Sequence, residues 1–281
     1  MLIRVIPGLI RDLIRPSKPS GDPGSGSGMT LFNTFHPPSS RHPSDAFPPS
    51  MTQTIRRIIT CEHAGNEIPA AYRHCFKRAS DVLNSHRGYD PGAALLFEAL
   101  TGAGADFSIV STTTRLLVEL NRSLHHPRLF SAYTRLLPPG VCKAILDTYY
   151  HPYRNTVADQ VAAFLAEGHI VRHVSVHTFT PVLDGVTRNA DIGLLYDPQR
   201  KEEKTFCTRW KAALQDHDPS LRVRFNYPYR GRSDGFTTFL RRRFPAGYTG
   251  VELEVNQRYF NRNANPPLVD LVRDTLQEMG L

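Results

Sequence analysis

The chain reads as an α/β protein with a mostly parallel sheet. Two observations predict this. From Arg56 onward, short β-branched runs alternate with longer helical patterns, the signature of strands layered against helices. Histidines also follow two of those runs: His63 after Ile58-Ile59-Thr60 and His177 after residues 171–176. Open α/β sheets place their ligands at such carboxyl ends.

The elements follow in order. Residues 58–60 form the end of a first buried strand, and Pro69 can start a helix over 70–78. A second helix covers 90–100, with Asp90 as N-cap and Pro91 at its first position. Residues 107–111 form a strand, and 115–120 a second extended run ending in Asn121-Arg122. A long helical stretch covers 140–167, with Pro152 placed to break or kink it. Strands are expected at 171–176, 192–196, 223–225 and 250–255, and helices at 206–215 and 268–279. There is no internal repeat.

Of the 281 residues, 40% are hydrophobic, enough for a substantial core. The first fifty differ in kind. Residues 1–14 read as a short amphipathic segment, too short and too charged to span a membrane. The Pro-, Ser- and Gly-rich residues that follow cannot bury enough apolar surface to fold. Residues 1–50 are therefore expected to be a disordered extension, with Met51 a natural start and residues 51–281 the folded domain. The net charge of +8 raises nucleic acid or an anionic substrate as partner, but the arginines are scattered and no nucleic-acid-binding motif is present. Cys61, Cys75, Cys142 and Cys207 form no CxxC pair, which argues against a disulfide framework or a thiolate zinc site and for a reducing, cytoplasmic setting.

Two histidines more than a hundred positions apart in one crevice suit a hydrolytic zinc site, which takes three protein ligands. Asp90 is the leading third ligand, with Glu62, Glu67 and His86 as alternatives; no HExxH motif exists. In the alternating run Val251-Glu252-Leu253-Glu254-Val255 both acids share one face. Acids in an apolar strand are costly unless paired or working, and Glu254, nearer the carboxyl end, is the better general base. Two competing readings are a thiol hydrolase, with Cys61 as nucleophile and His63 two residues on as its base, and a basic protein that binds without catalysis.

Several runs together resemble the N-formylglutamate amidohydrolase family: Glu62-His63-Ala64-Gly65-Asn66, Asp90-Pro91-Gly92-Ala93, Thr114 through Arg122, Asn226-Tyr227-Pro228-Tyr229, Asp234-Gly235 and Gly250 through Gln257. Glu119 stands where the family typically has Asp. The resemblance implies a three-layer mixed sheet flanked by helices, like that of zinc-dependent exopeptidases and other phosphorylase/hydrolase-like folds. It implies hydrolysis of N-formyl-L-glutamate, as in histidine degradation, with zinc on His63, Asp90 and His177. The small anionic substrate needs cationic clamps. Arg115 and Arg122 offer bidentate guanidinium groups, Asn121 is a donor, and Tyr229 and Arg230 lie on the segment 229–235, expected to be a mobile lid.

Overall fold

A computed structural model describes residues 2–5, 54–260 and 266–280. Among these residues, seven strands form one sheet. In chain order they are β1 (Leu2–Val5), β2 (Ile55–Cys61), β3 (Phe107–Ser111) and β4 (Ile170–Phe179), then, after the small hairpin β5 (Val182–Leu183) and β6 (Val186–Thr187), β7 (Ile192–Leu195), β8 (Val223–Phe225) and β9 (Tyr248–Asn256). Their spatial order is β1-β3-β2-β4-β9-β7-β8. The first five in that order are parallel, and β7 and β8 run against them. The sheet is mixed.

Helices cover both faces. The helices are α1 (Ser80–Leu83), α2 (Ala93–Gly102), α3 (Pro139–Ile145), α4 (His151–Ala166), α5 (Lys201–His217), α6 (Phe236–Arg243) and α7 (Pro266–Glu278). On one face α2, α5 and α7 bury Leu96, Phe97, Trp210 and Leu276 against Ile59, Val174, Val176, Val251, Leu253 and Val255. On the other, Tyr153, Val157, Phe236 and Leu240 of α4 and α6 cover Ile58, Ile109 and Val171. Alternation along the strands sends successive residues to opposite layers. It also gathers a polar row on the α4/α6 face: Thr60 of β2, His173, Ser175 and His177 of β4, and Glu252 and Glu254 of β9.

Several expectations are corrected. Residues 115–120 are not extended but a buried loop: Arg115 N donates to Gly88 O, Leu117 N to Thr114 O, and Thr114 Oγ1 to Gly88 O. Bonds to the loop at Gly88 and within the turn satisfy backbone groups that a strand would have paired, and the apolar side chains enter the core without it. The long helix is present as expected, unbroken from Pro139 to Ala166, and it accommodates Pro152 with a wider π turn at Leu146–Tyr150 just before it. Residues 70–76 form a 3₁₀ rather than an α-helix. Asp184 and Gly185 both have positive φ and join β5 to β6, an Asp-Gly hairpin the strand reading passed over. Leu2–Val5, assigned to the extension, pairs in parallel with β3 at the sheet edge, as the β-branched Ile3 and Val5 favour. The remainder of residues 1–50 lies outside the described residues.

Candidate active site

The polar row ends in a buried cluster at the carboxyl ends of β2, β4 and β9. β4 extends past Val176, so His177 lies inside it, in register with Glu254 of β9. β2 ends at Cys61, and the turn that follows brings His63 round to the α4/α6 side. Asp90 does not cap α2. The cap position is Gly92, at φ 90°, where any Cβ would strike Phe260. The freed Asp90 carboxylate reaches back into the cluster, while its backbone N–H donates to His63 O at 2.9 Å.

Three ligand atoms converge. His63 Nδ1 and His177 Nδ1 lie 3.2 Å apart, and Asp90 Oδ2 is 3.3 Å from the first and 3.0 Å from the second. Zinc with tetrahedral bonds of about 2.0–2.1 Å spaces its ligand atoms about 3.3 Å apart. The triangle has that size. The outer nitrogens are held from behind by acids. His63 Nε2 makes a very short contact with Glu119 Oε1, and His177 Nε2 faces Glu62 Oε2 at 3.2 Å and Ser175 Oγ at 2.9 Å. Such carboxylate–imidazole pairs fix the tautomer and ring orientation of metal-binding histidines. Glu62 thus supports His177 rather than its neighbour His63. Glu62 is itself anchored by donors from Ser175 Oγ at 2.6 Å and Tyr153 Oη at 3.0 Å.

The charges agree with a cation site. Burial works against ionised carboxylates, yet hydrogen bonds and charge from His177 and Ser175 hold Glu62 below the usual range. The imidazoles and Arg115 do the same for Asp90, and Arg115 and His63 for Glu119. Burial likewise opposes a charged His177, but Asp90 and Glu62 hold it well above the ordinary imidazole value. Three buried anions around two imidazoles and one guanidinium call for further positive charge, and two imidazoles with a carboxylate are a borderline donor set that suits zinc. The residues fit the metal.

Of the other candidate ligands, Glu67 is exposed and accepts from Thr112 Oγ1, while His86 is exposed at the rim. Glu254 is buried, and its Oε2 has no hydrogen-bond partner. Burial pushes its carboxyl up to about 8, with the charge of His177 opposing and that of Asp90 adding. Glu252 is half-buried and accepts from Thr237 Oγ1 at 2.7 Å.

A cavity of about 930 Å³ opens from His63, Asp90, His177 and Glu254 and is also lined by Arg115, Asn121, Arg122, Tyr229 and Arg230. Arg115 is largely engaged, donating to Asp90 Oδ1 at 3.0 Å and to Glu119 Oε2 from Nε at 2.8 Å. Asn121 Oδ1 accepts from the first N–H of α6, Phe236 N, at 2.6 Å, which leaves its Nδ2 near His177 Nε2 at 3.4 Å. Arg122 donates to the Asp234 carbonyl. Tyr229 is 47% exposed and Arg188 stacks on its ring. The lid expected over residues 229–235 is instead tied down: Gly231 N donates to Asn226 Oδ1, Arg241 Nη1 to Gly231 O, and Thr238 Oγ1 to Ser233 O.

The family model of N-formylglutamate amidohydrolase matches residues 55–261. The chain belongs to that family. It is a hydrolase of linear amides, which sets aside the non-catalytic reading. A solved gene product of Agrobacterium tumefaciens is 26% identical, covering 80% of this chain and 92% of that one, with a TM-score of 0.65. An N-formylglutamate amidohydrolase from Ralstonia eutropha shares the fold at 16% identity, over 82% of this chain and 94% of its own, with a TM-score of 0.61. No curated protein matches the sequence.

Within the family member, Cys61 is no nucleophile. It faces the α2/α5/α7 core, and burial, with the charges of Glu62 and Asp90, pushes its thiol well up, away from the reactive thiolate. Sequence reasoning missed Glu119 as a partner of His63. Its position in the family-like run Arg115 through Arg122 was the signal available.

Proposed function

We propose that this family member hydrolyses the amide of an N-acyl acidic amino acid, with N-formyl-L-glutamate as the reference substrate, and that one zinc is held by His63, Asp90 and His177. The observation that carries the reading is the triangle of ligand atoms, 3.0–3.3 Å on a side, beside an unpartnered buried carboxyl oxygen. When bound, zinc would polarise the amide carbonyl, lower the pKa of the attacking water and draw the Glu254 carboxyl down from about 8.

Glu254 is the proton carrier. Its free Oε2 takes the proton from water, and the same carboxyl then delivers it to the leaving amine nitrogen, a task that suits a pKa near neutrality. Glu119 and Glu62 keep both imidazole rings oriented, and Arg115 fixes Asp90 and Glu119 together. Arg122, Arg230 and the Tyr229 hydroxyl take the substrate carboxylates, and Asn121 Nδ2 donates to the developing oxyanion or to a carboxylate. The described residues include no helix long and apolar enough to cross a membrane. The free cysteines support a reducing, cytoplasmic setting.

The test is turnover of N-formyl-L-glutamate by the zinc-loaded protein and by Glu254→Gln. The variant keeps shape but cannot accept the proton, so kcat falls about 10²–10⁴-fold with zinc content unchanged. Turnover near the wild-type rate would remove Glu254 from the role, and no turnover by the wild type would remove the substrate.

A further inference from the structure

The active-site cavity is larger and more basic at its mouth than a single formylated amino acid requires. About 930 Å³ lies near the top of the range of about 300–1,000 Å³ that encloses drug-sized ligands. Its floor is buried and acidic, with Asp90, Glu119 and Glu254. Its mouth is lined by the exposed Arg87, Arg128 and Arg135, in addition to Arg122 and Arg230, against a single acid there, Asp234, whose carboxylate already accepts from Ser123 N. Among the described residues none of these five forms an ion pair with a carboxylate, although Arg122 donates to the Asp234 carbonyl. Elsewhere Arg200, Arg222 and Arg241 each hold an acid.

Like charges gathered around one opening repel one another, and a cleft walled by one sign of charge concentrates the opposite ion. Arg87 comes from the loop before Asp90, and Arg128 and Arg135 from the long loop between Glu119 and α3. Two separate loops thus turn cations toward the same space.

We propose that this mouth is a second anion-binding subsite, and that the substrate class is an N-acylated acidic peptide of at least two residues. The inference rests on the amide-hydrolase reading above. With a formyl group as the acyl part, any further substrate mass lies on the amine side. Arg122 and Arg230 then take the side-chain carboxylate and the peptide carbonyl of the first residue. Arg87, Arg128 and Arg135 take those of the next, where arginine forks match carboxylate geometry.

The test has a binding arm and a rate arm. Calorimetry on the zinc-loaded protein compares glutamate, glutamyl-glutamate and glutamyl-alaninamide, for wild type and for the Arg128→Gln/Arg135→Gln double variant. The wild type is expected to bind glutamyl-glutamate about tenfold more tightly than the other two, with the preference shrinking as salt is raised. The double variant, changed only at exposed positions, loses that preference. In the rate arm, kcat/KM for N-formyl-glutamyl-glutamate over that for N-formylglutamate exceeds one in the wild type and falls about tenfold in the variant. Equal wild-type binding of the three ligands, or a preference kept by the variant, overturns the subsite. A binding preference without turnover of either formyl compound upholds the subsite and sinks the formyl reading. Turnover of N-formylglutamate without any preference sinks the subsite alone.

Discussion

Glu119→Gln removes one charge from behind His63 while keeping the shape of the side chain. In the native protein this carboxylate contacts His63 Nε2 and accepts from Arg115 Nε at 2.8 Å and Asn121 N at 3.0 Å. A hydrogen bond to a charged partner contributes about 1.5–3 kcal/mol. Loss of such a partner behind a metal-binding histidine costs about 10–100-fold in metal affinity, or about 1.4–2.7 kcal/mol. The two estimates agree, so zinc affinity should fall by one to two decades. Arg115 is 26% exposed on its side chain and keeps Asp90. The stability cost to the metal-free protein should therefore be about 1–2 kcal/mol, short of the about 3–5 kcal/mol for breaking a fully buried pair. That corresponds to a Tm drop of about 2–8 °C. Competition with a chromophoric chelator reads the affinity, and thermal melts with and without zinc separate it from stability. Glu119→Asp, which keeps the charge on a shorter arm, should lie between the two. A Glu119→Gln variant with wild-type zinc affinity would refute the supporting role assigned to this carboxylate.

Two further outcomes test the rest of the site and its core. Cys61→Ala should keep turnover within about twofold while losing about 1–2 kcal/mol of stability from its fully buried position, and alkylating reagents should not inactivate the wild type. A collapse of activity in either experiment would restore the thiol reading. His173, buried between Thr60 Oγ1 at 2.8 Å and Tyr248 Oη at 2.7 Å, is pushed down to about 4 by burial, with Arg241 and His177 adding and Glu62 opposing. The unfolded chain takes up this proton near its ordinary value of 6.5. Stability from the neutral ring is thus present above that pH and lost as pH falls toward 4, at about 1.4 kcal/mol per pH unit and about 3 kcal/mol in all. Denaturant melts at pH 7, 5.5 and 4.5 should show the advantage of the wild type over His173→Gln shrinking by that slope. An advantage independent of pH would contradict it.

Features that depend on local pattern were legible from residue order alone. Alternation placed Glu252 and Glu254 on one face of β9, and strand-ending histidines marked the crevice, because side-chain direction in a strand has a period of two. The ordered motifs indicated the family whose model matches residues 55–261. Tertiary structure decided everything set by pairing and by turns. Only the register of β4 on β9 sets His177 opposite Glu254, and only the turn after Cys61 carries His63 across to them while Cys61 stays in the other layer. Two residues apart implies one face only while the strand lasts. Asp90 reads as a helix cap from its neighbours, yet Gly92 takes that place and the carboxylate joins the histidines. Glu62 and Glu119 sit beside or far from His63 in the chain, but in space Glu119 holds His63 and Glu62 holds His177. These contacts join residues dozens of positions apart, and their choice follows from how the whole sheet and its loops pack, which no local periodicity encodes.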